Sequence, residues 1–199
     1  MKQYSLACIN NSSSPGCFAV FQKTGGSPGI YALAWIARAA HPGTEVTFTW
    51  STDYSFAWSE TGVIKPGIIF FGSQVIPADP DKLNCIELAV DNFGASEFKP
   101  PTATGQPGML TIQQLSNVMP NRTSIGVGMS GSPIAAAQAA PGQTTMFAPH
   151  PNYWIMFGNY QTGDVIDIKK INGAVEVTYP DGLTSCTATL GPDDRISVA

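Results

Sequence analysis

The sequence predicts an all-β protein, with one domain over residues 1–199 folded as an antiparallel β-sandwich of jelly-roll or Greek-key type. The strongest sign is an alternation over Glu45–Trp58, where every even position except Thr52 carries a large apolar or aromatic side chain. Because successive side chains of a strand point to opposite faces, a period of two places these rings on one face. The 20 glycines and 16 prolines, with only 12% charged residues, favour many short strands joined by tight turns. A chain of 199 residues can bury a sizeable core within one domain.

The alternating stretch is too long for a single strand. A strand over Glu45–Trp58 would extend about 43 Å at ~3.3 Å per residue, whereas strands usually have about three to ten residues. We therefore expect a hairpin. A two-residue loop would set Trp50 opposite Ser55 and mix the faces, whereas a three-residue loop sets it opposite Phe56. The sequence predicts an odd-length loop centred near Asp53, or a bulge.

The remaining strands are predicted from apolar runs between turn signals. Gln3–Ile9 and Gly16–Gln22 flank a polar turn cluster and are expected to pair as an opening hairpin. Ile30–Ala40 is rich in alanine and could form helical turns, but its alternating large side chains favour a strand. Further strands are predicted at Ile64–Ile76, Leu83–Val90, Met109–Leu115, Ser124–Met129 and Thr144–Phe147.

The C-terminal third contains the clearest local turn signal. Asn172-Gly173, a preferred pair for a type I′ turn, lies between Asp164–Lys170 and Ala174–Tyr179 and predicts another hairpin. Tyr153–Phe157 is apolar on both faces, which is typical of a central strand covered on both sides.

Charge excludes some classes of partner. The net charge of −4 provides no basic surface for nucleic acid or an anionic membrane, and no apolar run is long enough to span a bilayer. From Phe98 to Gly163, only Lys99 and Arg122 are charged. We call residues 98–163 the neutral stretch. It is expected either to be buried or to form a surface that contacts another copy of the chain.

The N-terminus lacks the apolar run of a signal peptide, so we expect a cytoplasmic location. The four cysteines should then stay reduced, and without a C-x-x-C pair they do not indicate a zinc site. No metal, cofactor or catalytic residue is predicted.

Two patterns raise the question of catalysis. Gly126–Gly131 fits G-x-G-x-x-G, but no acidic residue follows at the distance at which a dinucleotide site binds ribose, so a glycine-rich turn is preferred. Ser130 approaches the nucleophile pattern G-x-S-x-G, but Ser132 stands at its last position. A hydrolase at Ser130 would have to use His41 or His150, the two histidines of the chain, and we consider the pair Ser130 and His150. Each histidine precedes a proline and is better explained as a loop residue at the start of a strand.

Aromatic side chains offer a binding function instead. Pyranose rings stack on aromatic faces, and polar groups such as Glu60 or Asn159 could complete a site. The same alternation is typical of a core wall, so both interpretations remain open. The candidate contacts all lie on the aromatic strands: Trp50, Trp58, Tyr153 and Trp154.

Several segments also resemble a known family. They are Ala40–Trp50 with Asp53–Gly62, Ser73–Asp79, Gly126–Ser132 and Pro149–Gly158. In kind and order these segments resemble the rhizosphere-expressed RhiA proteins of bacteria, from Tyr4 to about Tyr179. The resemblance implies abundant, regulated, cytoplasmic expression in plant-associated bacteria. It supplies no catalytic residues, because the family is known for its expression rather than for an established activity. It also implies that Gly126–Ser132 is a family motif and not a nucleotide site.

Three hypotheses about function follow. The first is a non-enzymatic, abundant, soluble cytoplasmic protein that associates with itself through the neutral stretch and is linked to plant or host association. The second is a module that binds a glycan or another small ligand. The third is a hydrolase that uses Ser130 and His150. The possible ligand or contact residues are His41, Trp58, Glu60, His150, Tyr153 and Trp154.

Overall fold

A computed structural model describes residues 2–24, 28–149, 152–180 and 182–199. These residues form strands and one turn of 3-10 helix at Ile168–Lys170, and they contain no helix that is long and apolar enough to cross a membrane. The strands are β1 (Gln3–Asn10), β2 (Gly16–Gln22), β3 (Ile30–Ala32), β4 (Ile36–Ala40), β5 (Glu45–Ser51), β6 (Tyr54–Ser59), β7 (Gln74–Ala78), β8 (Cys85–Val90), β9 (Ser96–Phe98), β10 (Leu110–Gln114), β11 (Ser124–Met129), β12 (Ser132–Gln138), β13 (Thr144–Phe147), β14 (Tyr153–Gly158), β15 (Val175–Val177), β16 (Ser185–Leu190) and β17 (Ile196–Val198).

The strands form four sheets. The first has the order β17-β16-β1-β5, the second β15-β14-β2-β4, the third β3-β12-β11-β6-β7 and the fourth β13-β10-β8-β9. Strand pairing is antiparallel except between β1 and β16 and between β8 and β10, which are parallel. The predicted all-β sandwich is confirmed, with these two parallel pairs as an addition to it.

One hydrophobic core joins the four sheets. Leu6, Phe18, Phe56 and Leu88 come from the first, second, third and fourth sheets respectively, and each is completely buried in the same cluster. Burying a side chain of this size stabilises a fold by about 1.5–3 kcal/mol. The core therefore holds the sheets to one another as well as stabilising each strand.

The second sheet is covered on both faces. On β2, Phe18 faces the main core, while Phe21 packs in a second cluster with Met156 and Ile166. Strand β14 lies between β15 and β2, which confirms the prediction that Tyr153–Phe157 is a central strand.

The predicted hairpin over Glu45–Trp58 is wrong. Strand β5 pairs with β1 in the first sheet, whereas β6 pairs with β11 and β7 in the third, so the chain crosses between sheets at Thr52 and Asp53. The alternation is nevertheless preserved across the crossing. Its large rings all face the one core, namely Phe48, Trp50, Phe56 and Trp58.

The predicted opening hairpin is also wrong, because β1 and β2 belong to different sheets. The polar cluster between them is a turn organised by Asn10. The Asn10 side-chain amide donates hydrogen bonds to the carbonyl oxygens of Ser14 at 2.9 Å and Ala40 at 3.0 Å. Its Oδ1 accepts hydrogen bonds from the backbone N–H and the hydroxyl of Ser12. This buried asparagine directs the chain from one sheet to the other.

The predicted hairpin around Asn172-Gly173 fails for a similar reason. Strand β15 pairs with β14, and the residues before the turn form the 3-10 turn at Ile168–Lys170. The Asp167 carboxylate accepts a hydrogen bond from the Lys169 backbone N–H and begins that turn. Gly173 adopts a positive φ of 76°, but Asn172 lacks the positive φ that a type I′ turn also needs at its first central residue, so the predicted turn type is wrong as well.

The neutral stretch is divided between the interior and the surface. All of β11 and the middle of β12 are buried, and its exposed residues lie largely in the turns between strands. Burial explains why these two strands carry no charge, since a charge is costly to remove from water.

Candidate functional site

A cleft of about 310 Å³ lies where the ends of the first and second sheets meet. Its walls include the rings of Tyr4, Tyr153 and Tyr179, and its rim carries Lys2 and Glu176. We call this the tyrosine cleft. Because its residues come from both ends of the chain and from the middle of the second sheet, only the tertiary fold brings them together.

Strand register positions the aromatic walls. Tyr4 on β1 pairs with Trp50 on β5, and their rings stack with centroids 6.3 Å apart. The Tyr153 ring lies 4.9 Å from that of Trp50 and 5.7 Å from that of Tyr4. Tyr179 completes the group, with its ring 5.0 Å from that of Tyr4. Contacts of this kind are favourable beyond the area that they bury, so they fix the side chains in place.

Two polar atoms in this aromatic group have no hydrogen-bond partner. They are the indole Nε1 of Trp50 and the hydroxyl of Tyr153, whose side chains are 1% and 2% exposed. The Trp50 N–H lies close enough to the Tyr153 oxygen to affect its pKa, but the geometry is not that of a hydrogen bond. Buried polar groups are normally paired, so this exception calls for an explanation.

Other polar tips of core aromatic residues are satisfied. The Trp35 indole N–H donates to the Met129 carbonyl oxygen at 2.8 Å, and that of Trp58 donates to Gln74 Oε1 at 2.8 Å. The Tyr179 hydroxyl donates to the Ser5 carbonyl oxygen at 3.2 Å. Two further buried side-chain oxygens without a partner, Thr111 Oγ1 and Ser124 Oγ, lie away from the tyrosine cleft.

Burial keeps the cleft groups protonated. It raises the pKa of Tyr153 to about 12, an effect that the nearby Trp50 N–H partly opposes. Burial also raises the pKa of Tyr179, and the neighbouring Cys186 thiol adds to that rise. At neutral pH the Tyr153 hydroxyl is thus a neutral hydrogen-bond donor and not a phenolate.

Trp58 and Glu60, two of the predicted contact residues, line a different cleft of about 390 Å³. Trp58 is only 8% exposed and its indole N–H is already bonded to Gln74. It is therefore a core residue with one edge in a polar cleft, and it does not present a free face for stacking.

Trp154 lies on the opposite face of β14 from Tyr153 and is half-buried against the second hydrophobic cluster. The ammonium of Lys23 lies 3.1 Å from its ring centroid, a cation–π contact that occupies one face. The structure thus separates the adjacent predicted contacts Tyr153 and Trp154, and only Tyr153 belongs to the tyrosine cleft.

His41 is exposed in the turn before β5, where its carbonyl oxygen accepts hydrogen bonds from the Thr44 backbone N–H and hydroxyl. His150, the other predicted histidine, lies outside the described residues. Ser130 occupies the β11–β12 turn with a φ of 50°, and its Oγ accepts a hydrogen bond from the Ser51 backbone N–H at 3.2 Å. The hydrogen bond from Ser51 gives Ser130 a structural role, because it joins the β11–β12 turn to the end of β5.

The glycine pattern has a packing explanation. Gly126 and Gly128 lie within β11, not in a loop before a helix. A Cβ on Gly126 would collide with the carbonyl oxygen of Ala135, and one on Gly128 would lie 2.7 Å from Ser55 Oγ. The pattern therefore allows close strand contact and does not form a phosphate-binding loop.

Metal-ligating side chains do not converge within the described ranges, where no group of three or more His, Cys, Asp or Glu could hold an ion. The four cysteines are free thiols, and burial raises the pKa of Cys8 to about 12. A thiol held in its protonated form is a poor nucleophile and a poor metal ligand at neutral pH.

Sequence reasoning identified Tyr153 and considered Trp50, but it missed Tyr4 and Tyr179. No signal in the chain links these residues, because their strands are paired by long-range contacts. The tyrosine cleft could be recognised only once the ends of the two sheets were seen together.

Comparison with known proteins supports the predicted resemblance. The sequence profile described as RhiA matches residues 1–199. Protein RhiA of Rhizobium leguminosarum bv. viciae is 33% identical over 196 residues, covering 96% of this chain and 84% of that protein. No solved structure matches this chain. Because both the profile and this relative extend over nearly the whole sequence, the chain belongs to the RhiA family.

Proposed function

We propose that this protein is a non-enzymatic binding protein and that the tyrosine cleft takes a small ligand. The observation that carries the proposal is the tyrosine cleft itself, an opening of about 310 Å³ whose lining joins Tyr4, Tyr153 and Tyr179, with Lys2 and Glu176 at its rim. The half-buried rings of Tyr4 and Tyr179 and the side chains at the rim are the groups that a ligand there would contact.

Binding rather than catalysis is supported by the ionisation of the cleft. The pKa values of Tyr153 and Tyr179 are both raised, so neither hydroxyl is available as a base or a nucleophile near neutral pH. The volume of about 310 Å³ lies at the lower end of the roughly 300–1,000 Å³ that small-molecule sites occupy. These properties favour a compact ligand that is held and not transformed.

A cleft-filling variant tests the proposal. Thr178 is exposed beside the cleft, and Thr178→Trp would occupy it, whereas Thr47→Trp adds the same side chain at an exposed position of β5. We expect a panel of neutral sugars, benzoate and benzamide to contain at least one compound that raises the melting temperature of the wild type and of Thr47→Trp, but not of Thr178→Trp. An equal response of all three proteins to every such compound would refute the proposal.

Self-association is a second candidate function. Phe93 is 96% exposed at the β8–β9 turn, and Met119 beside it is 40% exposed. The Asp91 carboxylate accepts hydrogen bonds from the backbone N–H groups of Phe93 and Ala95, so the turn that presents this ring is held rigidly. Light scattering on a sizing column, over a range of concentrations, tests for a discrete mass above that of one chain.

Cellular role is proposed at the level of the family. From membership of the RhiA family, we propose that the protein is abundant and cytoplasmic and has a role in plant or host association. Cell fractionation followed by immunoblotting would test the location. Recovery in a membrane or extracellular fraction would contradict it.

A further inference from the structure

A second cavity lies on the outer face of the third sheet, which is turned away from the main core. On β6, Phe56 and Trp58 point into that core, so Ser55 and Ala57, which alternate with them, point outward. Phe70 covers part of this face by packing with Ala57 in a third hydrophobic cluster, and an opening of about 240 Å³ remains beside it. We call this opening the outer pocket. It shares no lining residue with the tyrosine cleft, and its lining includes Ser55, Ala57, Phe71, Val75, Gly128 and Pro133.

The floor of the outer pocket is flat because the strands beneath it carry small side chains. Ser55 and Ala57 lie on β6, and Gly128 on β11 is paired with Ser55. A Cβ on Gly128 would lie 2.7 Å from Ser55 Oγ, so a larger residue at position 128 would collide with the floor and rise into the opening. The glycine therefore keeps this space open, and a flat molecule fits a floor of this shape.

The walls of the outer pocket are apolar. Phe71 and Val75 are exposed at its rim and Pro133 is half-buried. Every described residue that lines the pocket is uncharged, so an ion would lose hydration there without gaining a partner of opposite charge. Aromatic rings pack favourably on such walls. Because a cavity of ~150 Å³ already admits benzene, a volume of about 240 Å³ has room for one ring with a short substituent.

One hydroxyl at the floor has no partner in the protein. The Ser55 side chain is 9% exposed, and its Oγ makes no hydrogen bond within the part of the chain that the structure describes. Unlike the Tyr153 hydroxyl, this oxygen is not completely sealed from solvent, so a molecule in the pocket can reach it. The Thr162 hydroxyl, also at the pocket, already accepts a hydrogen bond from the Ala37 backbone N–H at 3.0 Å. A serine hydroxyl both donates and accepts, so Ser55 can pair with an uncharged oxygen of a ligand.

We infer that the outer pocket binds a small neutral aromatic molecule that carries one uncharged oxygen, as an aromatic alcohol does. The ring packs on the floor at Gly128 and against Phe71 and Val75, and the oxygen forms a hydrogen bond with the Ser55 hydroxyl. This inference goes beyond the proposed function, because the site is separate from the tyrosine cleft and does not depend on a ligand there.

Isothermal titration with four probes of similar size tests the ligand class. Benzyl alcohol is the neutral probe, benzoate and benzylamine carry a negative and a positive charge on the same ring, and toluene lacks the oxygen. We expect benzyl alcohol to bind, and the two charged probes to bind at least about tenfold more weakly. Ser55→Ala should weaken the binding of benzyl alcohol about threefold to tenfold, through loss of one neutral hydrogen bond, and leave that of toluene unchanged.

A pair of tryptophan variants tests the place of binding. Val75→Trp adds a large side chain at the rim of the outer pocket, and Val63→Trp adds the same side chain outside it, at positions that are 53% and 50% exposed. We expect only Val75→Trp to lose the binding of benzyl alcohol. Loss of binding in Val63→Trp to the same extent would contradict the inference.

The remaining outcomes separate the inference from the proposed function. The inference is overturned if benzyl alcohol does not bind the wild type, if a charged probe binds as tightly, or if Ser55→Ala or Val75→Trp binds benzyl alcohol as the wild type does. If Thr178→Trp loses the binding and Val75→Trp keeps it, the ring occupies the tyrosine cleft. That result would refute the inference and support the proposed function.

Discussion

Replacing Tyr153 with phenylalanine is expected to make the ligand-free protein more stable. Most substitutions at a side chain that is 2% exposed destabilise a protein, so the expected direction is unusual. The change removes only the hydroxyl, which is buried and has no hydrogen-bond partner, and it keeps the ring that packs against Trp50 at 4.9 Å. The variant thus loses an unsatisfied polar group and retains its aromatic contacts.

The size of the effect follows from the unpaired group. An unsatisfied buried hydroxyl costs about 1–3 kcal/mol, and part of the gain is offset by the small void left where the oxygen was. We therefore expect a net gain of roughly 1 kcal/mol in the free energy of unfolding. For a domain of this size that corresponds to a rise of about 2–4 °C in the melting temperature.

Tyr179→Phe is the matched control. Its hydroxyl donates a hydrogen bond to the Ser5 carbonyl oxygen, so its removal should lower the free energy of unfolding by about 0.5–1.5 kcal/mol. Urea unfolding followed by circular dichroism measures both variants, with an unchanged slope confirming that the comparison is valid. A Tyr153→Phe variant that is destabilised as much as Tyr179→Phe would refute the reasoning, because the Tyr153 hydroxyl would then have a partner.

Three further predictions concern packing, association and pH. Gly128→Ala should lower the free energy of unfolding, measured in urea, by about 1–3 kcal/mol, because the new Cβ would lie 2.7 Å from Ser55 Oγ. A variant as stable as the wild type would mean that β11 can shift to make room. Phe93→Ser should leave the melting temperature within about 2 °C of the wild type, because the ring is 96% exposed. It should also reduce any mass above that of one chain that light scattering detects at high protein concentration. An oligomer of unchanged mass would exclude the Phe93 surface as the contact between chains. The free energy of unfolding should fall as pH rises from about 9 towards 12, since burial raises the pKa values of Cys8 and Tyr153 from 9.0 and 10.0 to about 12. In that window the unfolded chain releases protons that the folded chain retains, so a stability that is flat or rising with pH would contradict the raised values.

Most strand positions could be predicted from the sequence because they depend on local patterns. The alternation over Glu45–Trp58 correctly placed its rings on one face, which the structure shows to be a core face, and the apolar run at Tyr153–Phe157 correctly predicted a central strand. In both cases the signal is the period of side chains along one strand, which does not depend on its neighbours.

Strand partners were predicted poorly. None of the three hairpins expected from neighbouring segments forms, and their strands pair with other strands instead, as where β1 pairs with β5 and β16. A turn signal such as Asn172-Gly173 is local, but whether the flanking residues pair depends on which other strands compete for their edges.

The sequence by itself determined that this chain is a β protein, which large side chains of Glu45–Trp58 share one face, and that its neutral stretch could be buried at little cost in desolvation. Only the tertiary structure decided that Tyr4, Trp50, Tyr153 and Tyr179 form one aromatic group, and that two polar atoms near the cleft lack partners. The physical reason is that burial follows from the local alternation of side chains. The cleft and the aromatic group behind it depend on long-range register, which no segment of the chain encodes alone.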